Sequence, residues 1–215
     1  MINTEVNTGQ FETNKVLSQT YKLLSMTLVF AGIMAFISMQ VNFALNVWVI
    51  MGAYFGMLFM VHKNQNNKSA IFWTFGLTGL LGFTLGPLLN HTIAMGNASS
   101  IATAFIGTGA IFLVTSQIGK NSEKDFSSIG KFASVGLLIA FVMSLVNYFL
   151  FQASILSVCI SAAFLVFSSA IIVWQVNNIV KGGETNYILA TVTLFVSLYN
   201  IFTSLLHITG FLSDD

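Results

Sequence analysis

The chain has 215 residues, of which 55% are hydrophobic and only 7% charged, and its net charge is +1. Soluble domains carry about 25% charged residues, so this composition excludes a water-soluble globule and points to an integral membrane protein. The near-zero net charge gives no footing for nucleic acid, and a single cysteine, Cys159, allows neither a disulfide framework nor a cysteine metal site.

Residues 1–14 are polar, rich in Asn, Thr and Glu, and lack the basic and apolar regions of a signal peptide. They are expected to form a flexible cytoplasmic tail, with 15–215 forming one transmembrane domain. Seven apolar segments follow, near 16–39, 43–61, 70–89, 98–118, 132–151, 154–180 and 187–211. Each is close to the roughly 20 residues that a helix needs to cross hydrocarbon. No ten-residue alternating strands are present, so the expected fold class is all-α: an integral membrane bundle of seven transmembrane helices.

The connections near Gln40 and Gln152 are short, which predicts antiparallel neighbours for spans one and two, three and four, and five and six. The eight lysines (15, 22, 63, 68, 120, 124, 131 and 181) all fall on one side of a seven-span arrangement, and there is no arginine. The excess of lysine on cytoplasmic loops then predicts a cytoplasmic N-terminus and an outer, periplasmic C-terminus ending in Asp214 and Asp215. Span two carries Gly52 and Gly56, and span three carries Gly76, Gly79, Gly82 and Gly86 near one face. Both sets are expected at close helix contacts. Pro87 is expected to end or kink span three.

The last long stretch, Gly182 to Gly210, organises the rest. Asn186, Ala190, Thr193, Ser197, Asn200, Ser204 and His207 recur at alternating steps of four and three, a continuous small-or-polar seam on one helix. Such a seam should be turned toward other helices, which predicts that this C-terminal helix is central. The turn before it, Gly182-Gly183-Glu184-Thr185-Asn186-Tyr187, supplies a left-handed cap at Gly182 or Gly183 and a helix N-cap at Thr185 or Asn186. Glu184 falls near the positive end of the helix dipole.

No acidic residue lies inside any span; all seven are in the tail, in loops or at the C-terminus. Carboxylates at mid-membrane are the usual carriers of proton or cation coupling, and this chain has none. The polar groups within the spans are neutral: Asn147, Gln175, Thr193, Ser197 and Asn200. Interhelical hydrogen bonding is one role for them, and a polar core or gate around Gln175, Thr193, Ser197 and Asn200 is the functional alternative. His62, His91 and His207 are expected at the membrane edges and are not spaced as metal ligands. No GxSxG, CxxC or phosphate-binding glycine loop is present, so neither an enzyme nor a bound cofactor or metal is expected.

Three stretches, KVLSQTYKLLSMTL, GLTGLLGFTLGPLLN and SSAIIVWQVNNIVKGGETNYILATVTLFVSLYNIFTSLLHITGF, resemble the Bax inhibitor-1 (TMBIM) family, specifically its bacterial YccA branch. The resemblance covers nearly the whole chain. It implies a seven-helix fold with the last helix enclosed by the others. It also implies an inner-membrane protein that modulates the membrane-anchored AAA protease FtsH, with the N-terminal tail as a handle. Some members of the family leak calcium through a pH-sensitive pair of aspartates on the last two helices. The matching positions here are Gln175 and Ser197, and neither ionises, which counts against a cation leak.

Overall fold

The computed structural model describes the backbone of residues 2–41 and 46–213, and side chains over 13–41 and 46–212. Among the described residues the structure is helical, with no strand. The helices are α1 (Ile2–Val41), α2 (Val47–Lys63), α3 (Ser69–Ala94), α4 (Ala98–Asn121), α5 (Ser127–Val146), α6 (Ser154–Val180) and α7 (Tyr187–Ser213). Six of them are long and apolar enough to cross a membrane; α2, with 17 residues, is shorter. The expected start of span two at residue 43 and the C-terminal Asp214-Asp215 pair lie outside the described residues. The backbone of α1 begins well before the first apolar turn expected near residue 16. α3 does not end at Pro87 but runs through it to Ala94.

The chain folds as two compact units. The first comprises residues 1–96 and 184–195. Here α1 and α2 each pack on α3, and among the described residues α1 does not make the expected close hairpin with its sequence neighbour α2. The reason is the glycine face of α3. A Cβ at Gly79 would meet the Phe30 ring, one at Gly82 the backbone of Ala31, and one at Gly86 the Ser38 side chain. Without those methyl groups α1 lies backbone to backbone against α3, where dispersion is greatest. The buried side of α1 carries Leu17, Thr20, Leu24, Thr27, Ala31 and Ser38, spaced by threes, fours and a seven, the period of a helix seam. Phe30 and Phe75 meet edge to face at 5.4 Å, and Asn90 Nδ2 donates to Met39 O at 3.0 Å. By contrast, nothing lies within 4 Å of a Cβ built at Gly52 or Gly56, so the GxxxG spacing of α2 marks no close contact.

The second unit comprises residues 97–183 and 196–215. Within it α6 packs on both α4 and α5. The contacts again use glycine: Gly119 of α4 lies against the α6 backbone at Val173 and Asn177, Gly130 of α5 under the Trp174 ring, and Gly136 under Phe167. The expected α5–α6 hairpin is present. Its corner is a single π-helical turn, Asn147–Phe151, closed by Gln152 in the left-handed region at φ 50°. Asn147, 5% exposed, holds that corner. It donates to Ser157 Oγ at 2.7 Å and accepts from the Ala153 N–H at 3.1 Å.

Large exposed apolar side chains cover the helices, among them Phe72, Phe105, Ile106, Phe132, Leu138 and Leu150. In water a surface of this kind would aggregate, whereas in a bilayer it faces acyl chains. Together with the apolar helices this makes the protein an all-α integral membrane protein. Burial is greatest on α7, where 56% of the apolar window is buried, against 39% for α3 and less for the rest.

Candidate functional site: the α6–α7 turn and the neutral positions beside it

The turn between α6 and α7 is built by its own sequence. α6 ends as the N–H of Gly182 donates to Ile179 O and that of Gly183 to Asn178 O, both at 2.9 Å. Gly182 takes φ 74°, a conformation that costs a non-glycine residue about 1–2 kcal/mol. A Cβ at Gly183 would meet Asn178 Oδ1, which would have to turn aside. Of the two expected N-caps, Asn186 is the one used: its Oδ1 accepts from Ile188 N at 2.9 Å and Leu189 N at 3.3 Å. Glu184 Oε1 accepts the Asn186 N–H at 2.8 Å. Thr185 is exposed, and Tyr187, the first residue of α7, accepts from Thr191 Oγ1 at 2.7 Å.

Two asparagines tie this turn to distant loops. Asn186 Nδ2 donates to Gln65 O in the α2–α3 connection at 2.9 Å, within the first unit. In the second unit Asn177, 1% exposed, spans the α4–α5 connection. Its Nδ2 donates to Gly119 O at 3.1 Å and Ser122 O at 3.3 Å, and its Oδ1 accepts from Phe126 N at 3.4 Å. Lys181 Nζ adds a bond to Glu123 O at 2.8 Å. In that loop Asp125 is held below the usual carboxylate range. The chief cause is its hydrogen bond from the Ser127 hydroxyl, then one from the Ser127 N–H, with smaller help from Lys181 and Lys131. Sequence reading passed over Asn177. The only signal was an asparagine pair in an otherwise apolar helix end.

The four candidate core residues differ in their surroundings. Gln175 of α6 is 2% exposed, and its Nε2 donates to nothing among the described residues. An unpaired buried amide costs about 1–3 kcal/mol, so this nitrogen does not act as interhelical glue. Ser197 is also buried, at 2% exposure, in the same unit as Gln175. Asn200 is half-buried in that unit, and its carbonyl accepts from Thr203 Oγ1 at 3.2 Å. Thr193 belongs to the other unit, is half-buried, and donates to Leu189 O at 3.0 Å on its own helix. Along the seam Ala190, Ser197 and Ser204 are buried, while His207 is exposed. Burial also takes in Thr191, Leu194, Phe195, Ile201 and Leu206, so α7 is covered well beyond its polar edge.

His207 is not merely an edge residue. Its Nδ1 lies 3.0 Å from Ser161 Oγ on α6. Ser161 Oγ also lies 2.9 Å from Ser157 O on its own helix, so which partner the hydroxyl serves follows the imidazole tautomer. No group of three potential metal ligands occurs among the described residues.

The chain is similar to known proteins along most of its length. Residues 13–214 match the family described as Inhibitor of apoptosis-promoting Bax1. The chain is 41% identical, over 97% of its length and 95% of the other's, to a protein of Escherichia coli K12 named Modulator of FtsH protease YccA. It shows the same identity to an uncharacterized protein of Pseudomonas aeruginosa, over 96% and 93% of the two chains. A membrane protein of Vibrio cholerae is likewise 41% identical, over 95% and 92%.

Proposed function

Because this chain belongs to the Bax inhibitor-1 family, we propose that it is a multi-pass inner-membrane protein that binds and restrains an FtsH-type membrane-anchored AAA protease. The carrying observation is the near full-length match to the E. coli modulator, at 41% identity. The neutral interior supports a non-enzymatic, non-transporting role, since Gln175 and Ser197 offer no titratable group at the two buried positions. In this reading the eight lysines mark the cytoplasmic side, and the polar segment 1–14 lies there as the handle.

The test is co-purification after mild detergent extraction. The protease is expected in the purified material, and a chain lacking residues 2–14 is expected to turn over several-fold more slowly in cells. Absence of the protease, under conditions that retain other membrane partners, would remove the reading. A family-type calcium leak is the weaker alternative. Calcium flux into liposomes is expected to match empty vesicles from about pH 5 to about pH 8, with no carboxylate-like step, because neither candidate latch position ionises. Flux well above that background would reverse the order of the two readings.

A further inference from the structure

The second unit carries a groove on its apolar surface, between α5 and α6, of about 290 Å³. It is lined by the small residues Ala140 and Ala163 and by Phe132 and Met143, with the Phe167 ring packed over Gly136. Gly136 and Ala140 are buried, whereas Phe132 is 70% and Met143 37% exposed, so the groove opens outward from the protein. From Phe132 to Met143 it follows α5 for eleven residues, or about 16 Å at 1.5 Å per residue.

The lining and its setting choose the occupant. The walls are apolar side chains with one thiol, Cys159, and the groove opens outward on a surface that faces hydrocarbon in a membrane. Acyl chains of the surrounding lipid are the natural filling of such a groove.

One end of the groove is charged. Phe132 directly follows Lys131, in the second turn of α5. Lys120, Lys124, Lys131 and Lys181 are all exposed at this end of α4, α5 and α6, against the two carboxylates Glu123 and Asp125, which leaves a net +2 (four less two). Lys181 is fixed in place by its bond to Glu123 O. Lysine at the rim of an apolar slot meets the phosphate of a lipid whose chain fills the slot.

We propose that the α5–α6 groove is a binding site for one anionic phospholipid, its acyl chain along Ala140, Met143 and Ala163 and its headgroup at Lys124 and Lys131. The assignment depends on the membrane fold and not on the protease. Each lysine near an anionic headgroup favours it about fivefold, so the net charge gives a preference on the order of 25-fold over a zwitterionic lipid.

The experiment is lipid titration of the full-length protein in detergent, read by native mass spectrometry. The two probes are phosphatidylglycerol and phosphatidylethanolamine with identical chains. The wild type is expected to retain one phosphatidylglycerol with the stated preference, reduced at high salt. Ala163→Trp, which fills the groove, should cut retention of both lipids by about tenfold or more, while Ala162→Trp, outside the groove, should not. The double variant Lys124→Gln/Lys131→Gln should still bind a chain but lose the preference. If Ala163→Trp no longer shows a cooperative thermal transition, Met143→Trp at the exposed rim takes its place. Equal retention of the two lipids by the wild type, or wild-type retention by the folded groove-filling variant, would overturn the assignment.

Discussion

Asn177→Ala is expected to be among the most destabilising single substitutions in this protein, at about 3 kcal/mol. The side chain is 1% exposed and serves two carbonyls and one N–H of the α4–α5 connection, at Gly119, Ser122 and Phe126. Alanine would leave the buried acceptor Gly119 O without its partner and drop two part-buried bonds, each worth about 1–3 kcal/mol when well bonded and less at the longer distances here. The loss should appear as a melting temperature lower by on the order of 10 °C in detergent, at about 2–4 °C per kcal/mol for a chain of this size. Asn121→Ala supplies the comparison. Asn121 is exposed, with one bond to Gln117 at 3.3 Å, and should change stability by no more than about 0.5 kcal/mol. Equal melting of the two variants would show that Asn177 does not hold the loop.

Gly82→Ala and Gly52→Ala are expected to move stability in opposite directions, although both place one methyl group on an apolar helix. At Gly82 the new Cβ would come within 2.7 Å of Ala31 Cα and 2.8 Å of its carbonyl carbon. These are backbone atoms that no rotamer change can clear, so α1 and α3 must move apart, at about 3 kcal/mol. Nothing lies within 4 Å of the same position at Gly52. There the alanine relieves the conformational freedom of glycine and should stabilise by about 0.5–1 kcal/mol. Thermal unfolding of the two purified variants measures both signs. A stabilising Gly82→Ala would mean that α1 and α3 do not approach at that residue.

That contrast also shows how far residue spacing carries. Gly52 and Gly56 stand four apart, as do Gly82 and Gly86, and the pattern cannot tell them apart. One pair faces open space and the other faces α1. The turn at Gly182–Tyr187 was more legible because its requirements are local. A positive φ at Gly182 and an acceptor at Asn186 are satisfied within a few residues of chain. Asn177 reaches partners 51 to 58 residues away, and Ser161 meets His207 across 46. No periodicity encodes which side chain stands opposite at such separations.

By itself the sequence determined that this chain lives in a membrane, where its helices lie, and that no carboxylate sits at mid-depth to carry a charge. Those properties depend on composition and on chemistry along the chain, which folding does not alter. Tertiary structure decided which glycine face is occupied, that α3 rather than α2 receives α1, that Gln175 Nε2 finds no partner among the described residues, and that α5 and α6 leave an apolar groove open on their surface. Each of these is a relation between surfaces distant in sequence. Helical period states which way a residue points, while only the packed chain supplies what it meets.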